Sequence, residues 1–234
     1  WKLVFDLWPS THGWVMPPAT PRIRDDWRPA TSSLPMREWA AFVQALVDRA
    51  IEHAGTSARR LRELVGGLDS LAPTDRDRVL THIEDLNREG ALDAKVQLEV
   101  WDELQAVASR HERFQTADWA MPPEVVARLW TLAGALEPTS DPQRFAYLFD
   151  WHPDLPGYQQ TDYEAYSARL AELRAEALGS VLALPDWGVQ LASLAKRTKA
   201  PGQLGWALAA EGNIDPTTIL AWLDDGEDSL RDAA

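Results

Sequence analysis

The sequence predicts an all-α fold, and three observations lead to that prediction. Apolar residues recur every three or four positions along most of the 234 residues. No segment alternates apolar and polar residues in the way that a half-buried strand does. Glycine and proline stand at the ends of the apolar stripes, where helices commonly stop or begin. We therefore expect about nine to ten helices of unequal length, arranged as an irregular bundle or as a degenerate α-solenoid.

The first 35 residues differ from the rest of the chain. Residues 1–8 are amphipathic and lack an initial methionine, and Pro9 interrupts them, so we interpret them as the end of a preceding helix in a longer protein. Residues 9–35 contain six prolines, which exclude a regular helix. Because two tryptophans and an isoleucine lie among these prolines, we expect a Pro-rich loop that is docked on the helices.

Residues 36–234 are predicted to form the all-α domain, with an internal boundary near 138–160 as an alternative to a single domain. Its first helix is expected over 36–54, where apolar residues form one stripe that ends at Gly55. Thr74 is expected to cap the third helix. The helices that follow the first are predicted over 57–65, 74–89, 92–111, 123–136, 142–149, 161–184, 187–197, 201–211 and 216–224.

The charge of the chain is unevenly distributed. The net charge is −13, of which residues 1–60 contribute +2 and residues 61–234 contribute −15. An acidic body repels the phosphates of nucleic acids and of anionic lipids, so neither is expected as a partner. No apolar run approaches the roughly 20 residues that span a bilayer. We expect a cytoplasmic protein whose partner is another protein or another domain of the same chain.

The residues that most often carry catalysis or hold metals form no local motif. The chain has no cysteine, which excludes disulfides, thiol nucleophiles and cysteine-based zinc sites. Its five histidines are widely spaced, and single hydrogen-bonded or solvated histidines are the simpler interpretation. No serine lies in a nucleophile elbow, although a triad can assemble from distant residues. We expect no metal and no cofactor.

The most unusual local segment lies in the Pro-rich loop. Three arginines and one tryptophan follow each other closely there, and a histidine precedes them: His12, Arg22, Arg24, Trp27 and Arg28. Guanidinium groups can hold phosphate while an indole stacks on a base, which would make an anion or nucleotide pocket. The alternative is that the arginines pair with carboxylates such as Asp25 and Asp26 while Trp27 anchors the loop.

Three stretches of the sequence form recognisable patterns: 7–13 with 21–29, 111–114 with 117–122, and 174–178. They resemble helical regions of large multidomain bacterial proteins, some of them similar to signalling or defence NTPases of the STAND type. In such proteins the helical array follows a nucleotide-switch domain and acts as a sensor or scaffold. This chain has no Walker lysine and no Mg²⁺-binding aspartate of that type, so the resemblance does not imply NTP binding by these residues.

Two functions are therefore expected as alternatives. The first is a non-enzymatic helical scaffold or sensor module that mediates protein–protein interaction within a larger bacterial protein. The second is a ligand-binding or hydrolytic domain with its anion or nucleotide pocket under the 9–35 loop. A broad helical surface favours the first function, and a pocket with converging arginine and histidine favours the second.

The acidic body makes a direct prediction about nucleic acids. At physiological salt the protein should show no appreciable affinity for duplex DNA or RNA, because the −15 balance of residues 61–234 opposes phosphate contacts. Fluorescence titration with a labelled duplex measures this. Binding in the micromolar range that weakens as salt is raised would contradict the prediction.

Overall fold

The computed structural model describes residues 36–155, 163–211, 214 and 216–234, and it describes side chains from Ala45 onward except that of Pro216. Within these residues there are ten α-helices, two 3₁₀ helices and no strand. The predicted all-α fold with about nine to ten helices is thereby confirmed. The expected docked loop over 1–35 lies outside the described residues and stays a prediction.

The chain divides into two compact units, and the division falls between Leu136 and Glu137. The described helices of the first unit are α1 (Met36–Ala54), α2 (Ala58–Gly66), α3 (Pro73–Arg88), α4 (Ala94–Arg113) and α5 (Pro123–Leu136). A 3₁₀ helix, Leu68–Ser70, lies between α2 and α3. The second unit contains a 3₁₀ helix, Pro142–Phe149, followed by α6 (Tyr163–Leu182), α7 (Trp187–Arg197), α8 (Pro201–Glu211), α9 (Pro216–Leu223) and α10 (Asp228–Ala233).

Helix α4 is the central element of the first unit. It packs against α2 and α5, so side chains on more than one of its faces leave water. Val100, Leu104 and Val107 are buried along the predicted stripe, and Trp101 is buried beside it. Burial of a large apolar side chain stabilises a fold by about 1.5–3 kcal/mol. The periodicity of 92–111 therefore identified the helix on which this core is built.

Two helix starts differ from simple expectation. Helix α3 begins at Pro73, whose missing N–H is tolerated in the first turn, and its N-cap is Ala72 with no side-chain cap. The expectation that Thr74 caps this helix is wrong, because proline already sets the start one residue earlier. Helix α4 is capped by Asp93, whose carboxylate accepts a hydrogen bond of 2.8 Å from the backbone N–H of Val96.

The second unit is assembled around its 3₁₀ helix, Pro142–Phe149. This helix packs against α6, α7 and α8, and Phe149 at its end is fully buried. The core that surrounds it includes Leu178 of α6, Leu191 and Leu194 of α7, and Leu204 of α8. The sequence predicted this short element from the Asp141–Pro142 start. The Asp141 carboxylate indeed accepts a hydrogen bond from the N–H of Gln143.

Arg174 of α6 joins the parts of this unit that meet at Phe149. Its guanidinium donates to the carbonyl oxygens of Leu148 at 2.7 Å and Asp150 at 3.0 Å, and to the side-chain oxygen of Gln203 at 3.2 Å. Burial lowers the pKa of Arg174, an effect that the nearby Tyr166 and Asp150 oppose. One half-buried side chain thus fixes α8 and the end of the 3₁₀ helix relative to α6.

Helices α8 and α10 approach each other closely because α8 carries two glycines on the shared side. A Cβ added at Gly205 would overlap the carbonyl oxygen of Ala233, and one added at Gly202 would lie 3.3 Å from that of Asp232. Only glycine leaves space for backbone at this distance. Helix α10 was absent from the sequence prediction, since its six residues carry only Leu230 and Ala233 as buried positions.

No helix in the described part of the chain combines the length and the apolar character that crossing a membrane requires.

The first unit offers a direct test of its core. Leu104→Ala should lower the free energy of unfolding by about 2–5 kcal/mol, because Leu104 is fully buried and its loss leaves a cavity in α4. Lys95→Ala, an exposed change on the same helix, is the control and should stay within about 0.5 kcal/mol of the wild type. Urea denaturation followed by circular dichroism measures both. Equal stability of the two variants would contradict the assigned core.

Candidate functional site

The site residues predicted from the sequence belong to the Pro-rich loop. His12, Arg22, Arg24, Trp27 and Arg28 all lie within 1–35 and so outside the described residues. The proposed anion or nucleotide pocket therefore stays a prediction, as does its alternative of arginine–carboxylate pairs.

The described histidines do not come together. His53 and His152 are exposed, whereas His82 and His111 belong to different helices, α3 and α4. Over 36–155, 163–211, 214 and 216–234 there is no group of three His, Asp or Glu residues placed to hold a metal ion.

His111 is fully buried and holds the turn that follows α4. Its Nδ1 accepts a hydrogen bond of 3.0 Å from the backbone N–H of Met121, and the Trp119 ring lies edge-on at 5.4 Å between centroids. The proton of the neutral ring is therefore on Nε2, which has no hydrogen-bond partner among the described residues. Burial lowers the pKa of His111, and this outweighs the opposing Asp69 carboxylate. The ring serves the fold as a neutral acceptor.

A charged cluster around Arg128 in the first unit also has a structural role. Arg128 of α5 binds both carboxylate oxygens of Glu84, at 2.7 and 2.8 Å, and also reaches Asp77 and the hydroxyl of Thr81. The hydrogen bonds that Arg128 donates to Glu84, and then those to Asp77, raise the pKa of Arg128 and keep it charged. All three partners lie on α3, so the cluster fixes α5 against α3.

Helix α8 has an outer face without charge. Trp206 is 76% exposed, and Ala209 and Ala210, three and four positions further on, are exposed beside it. The opposite side of the helix is buried through Leu204 and Leu208. The indole of Trp206 is therefore exposed on an apolar helix face, because the neighbouring Ala209 and Ala210 are too small to cover it.

Helix α9 is apolar on both sides. Trp222 is buried and Ile219 packs on the same core, while Leu220 is 57% and Leu223 is 52% exposed. Positions three apart share a helix face, so the two exposed leucines lie together. A surface helix ordinarily directs polar residues outward, whereas this one exposes two leucines beside Thr217.

Acidic side chains follow directly after the exposed leucines. Asp224, Asp225, Glu227 and Asp228 are all exposed. Arg231 pairs with Asp228, and Lys196 lies 3.9 Å from Glu227. Neither Asp224 nor Asp225 has an ion pair within the described residues. Asp225 instead accepts a hydrogen bond from the N–H of Glu227. We call Leu220, Leu223, Asp224 and Asp225 the α9 surface.

Sequence reasoning missed these two faces, although a signal was present. Residues 200–223 contain only two charged residues, Glu211 and Asp215, in a chain of which a quarter is charged. Such a run predicts two buried helices, and periodicity alone could not show that one side of each is uncovered. Comparison with protein-family models, curated protein sequences and solved structures gave no match.

The buried imidazole predicts how stability depends on pH. The folded-state pKa of His111 lies below its unfolded value of about 6.5. The unfolded chain therefore takes up the proton first, and the free energy of unfolding should fall as pH decreases through this value. His111→Gln keeps an acceptor for Met121 but cannot titrate, so its stability should depend less steeply on pH between about 7.5 and 5.5.

Urea denaturation at several pH values measures this slope. Thr74→Ala, an exposed change in the first unit that alters no titratable group, is the control and should keep the wild-type slope. A slope for His111→Gln equal to that of the wild type would contradict the assignment of His111 as a buried neutral acceptor.

Proposed function

We propose that the chain is a non-enzymatic helical scaffold or sensor module of a larger bacterial protein, and that it binds a protein partner through the outer faces of α8 and α9. The observation that carries this proposal is the exposed apolar side chains on two consecutive helices of the second unit, Trp206 above all. Isolated exposed apolar residues are ordinary on protein surfaces. Two consecutive helices that both have uncharged outer faces are less common there.

The chemistry of these side chains is that of an interface. Tryptophan is enriched among the residues that dominate binding energy, because it offers a large apolar area and few rotatable bonds. Leu220 and Leu223 add two aliphatic groups on one helix face. Covering such groups with a partner removes them from water, which is worth about 25 cal/mol per Å² of apolar area.

The support beneath these faces is rigid. Helix α8 is held from one side by the hydrogen bond between Gln203 and Arg174, and from another by the close glycine contact with α10. Helix α9 is anchored by buried Trp222. A surface that is already ordered loses little conformational entropy on binding, which favours recognition by fixed surfaces.

The polar contacts of one buried and two partly buried side chains support the scaffold hypothesis. His111 is occupied by the N–H of Met121, Arg128 by acids of α3, and Arg174 by backbone carbonyls. Each of them links one part of its unit to another. Their hydrogen bonds therefore stabilise the packing within each unit. We infer that a partner binds the exposed side chains of α8 and α9 instead.

The proposal predicts where binding peptides attach. A phage-displayed library of random peptides is panned on the immobilised full chain, and the affinity of each selected peptide is measured by titration. Trp206→Ser or the double change Leu220→Ser/Leu223→Ser should weaken the selected peptides by at least about tenfold, because a central anchor is removed. Tyr163→Ser, at an aromatic residue of the same unit that is 70% exposed, is the matched control and should leave the affinities unchanged.

Circular dichroism and the thermal midpoint establish that the variants remain folded. Peptides that bind all variants equally, or a library that yields no peptide dependent on either face, would contradict the proposed function.

A further inference from the structure

We propose that the α9 surface binds a basic amphipathic helix of a partner protein, whose apolar side chains cover Leu220 and Leu223 and whose lysines or arginines meet Asp224 and Asp225. This inference rests on the proposed function and adds the chemistry of the partner. It follows from the way in which an exposed apolar pair and unpaired carboxylates adjoin each other.

Chain order places the carboxylates beside the exposed leucines. Leu220 and Leu223 stand three positions apart on α9, and Asp224 and Asp225 follow in the turn at the end of the helix, where the N–H of Asp225 donates to the carbonyl oxygen of Trp222 at 3.2 Å. One turn of helix advances about 5.4 Å along its axis. A partner helix with an apolar residue over Leu220 therefore brings its next turn over the carboxylates.

Charge selects a basic partner. Between Asp224 and Asp232 the chain carries five carboxylates and one arginine, and Arg231 is already paired with Asp228. Asp224 and Asp225 have no ion pair within the described residues, so their charge is available to a partner. A neutral helix placed on Leu223 would leave these carboxylates without compensation, and an acidic helix would meet like-charge repulsion.

Charge also disfavours a second copy of the chain as the occupant. Residues 137–234 carry sixteen acidic and seven basic residues, and the whole chain has a net charge of −13. Two copies that joined through the α9 surface would bring their acidic ends together. Close like charges oppose such an association, whereas a basic partner relieves the repulsion already present.

The α9 surface is small, which sets the expected strength of binding. Eight residues of helix extend about 12 Å, so a partner helix can cover it with about two turns. Interfaces of this size belong to weak and transient complexes. We expect dissociation constants in the micromolar range, with an electrostatic part that weakens as salt is raised.

The test uses two designed helical peptides and the full chain. Both peptides carry leucines at i, i+3, i+4 and i+7; one has lysines on the remaining face and the other has glutamates. Titration by fluorescence anisotropy should show that the lysine peptide binds and the glutamate peptide does not. Asp224→Asn/Asp225→Asn should weaken the lysine peptide by about fivefold or more, and Leu220→Ser/Leu223→Ser should remove measurable binding.

A matched charge control separates local pairing from general attraction. Glu164→Gln/Glu176→Gln removes two exposed carboxylates of α6 in the same unit, so the net charge changes by the same amount. This variant should bind the lysine peptide as the wild type does. Equal weakening by both charge variants, or binding that survives the loss of the leucines, would overturn the inference.

The remaining outcomes separate this inference from the proposed function. If the glutamate peptide binds through Leu220 and Leu223 as well as the lysine peptide does, the basic partner is wrong and the interaction surface stands. The same holds if selected library peptides depend on Trp206 and neither designed peptide binds. A concentration-dependent dimer, measured by light scattering and lost in Leu220→Ser/Leu223→Ser, would show that a second copy occupies the surface and would also overturn the inference.

Discussion

The guanidinium of Arg174 determines the arrangement on which the second unit's surface depends. It satisfies two carbonyl oxygens at the end of the 3₁₀ helix and also holds Gln203 of α8. The adjoining Asp150 carboxylate accepts hydrogen bonds from the N–H of Lys199 and the hydroxyl of Thr198, immediately before α8. Buried carbonyls without partners are costly, so the side chain of Arg174 on α6 supplies the hydrogen bonds that the end of the 3₁₀ helix lacks. The same side chain fixes the position of α8.

From that position the exposed faces follow. With α8 fixed, its glycines admit the backbone of α10, and α10 in turn packs on α9. Leu204, Leu208 and Trp222 are then covered. Trp206, Leu220 and Leu223 are turned away from the same core, since a helix cannot bury all of its sides against neighbours that lie on one of them. The exposed apolar surface is thus a consequence of close packing elsewhere in the unit.

The two units use apolar residues differently. In the first unit α4 lies between α2 and α5, and even the residues beside its main stripe, such as Trp101, are buried. Arg128 and the neutral His111 then fix the neighbours of α4 through hydrogen bonds. Helices α8 and α9 of the second unit carry far fewer charged residues than α4, yet Trp206, Leu220 and Leu223 remain exposed on them. What differs is which sides of a helix the neighbouring elements cover.

The sequence by itself determined the helical class and most helix bounds. Its periodicity placed α1, α5, α7 and α8 as the structure has them, because a one-sided apolar stripe and a glycine or proline boundary are local properties. Helix caps were less predictable. Helix α3 begins at Pro73 and not at Thr74, and the sequence analysis did not identify Asp93 as the cap of α4. These alternatives lie within one or two residues of each other and differ by little free energy.

Only the tertiary structure decided which apolar residues are covered. Trp206 and Trp222 are the same residue type in adjacent helices of similar composition, yet one is 76% exposed and the other is buried. Likewise, the sequence could count His111 among scattered histidines but could not show that Met121 donates to it. Burial depends on residues that are distant in the chain, and a periodic pattern shows only that a helix has an apolar side. Which side remains exposed follows from the packing of the other helices.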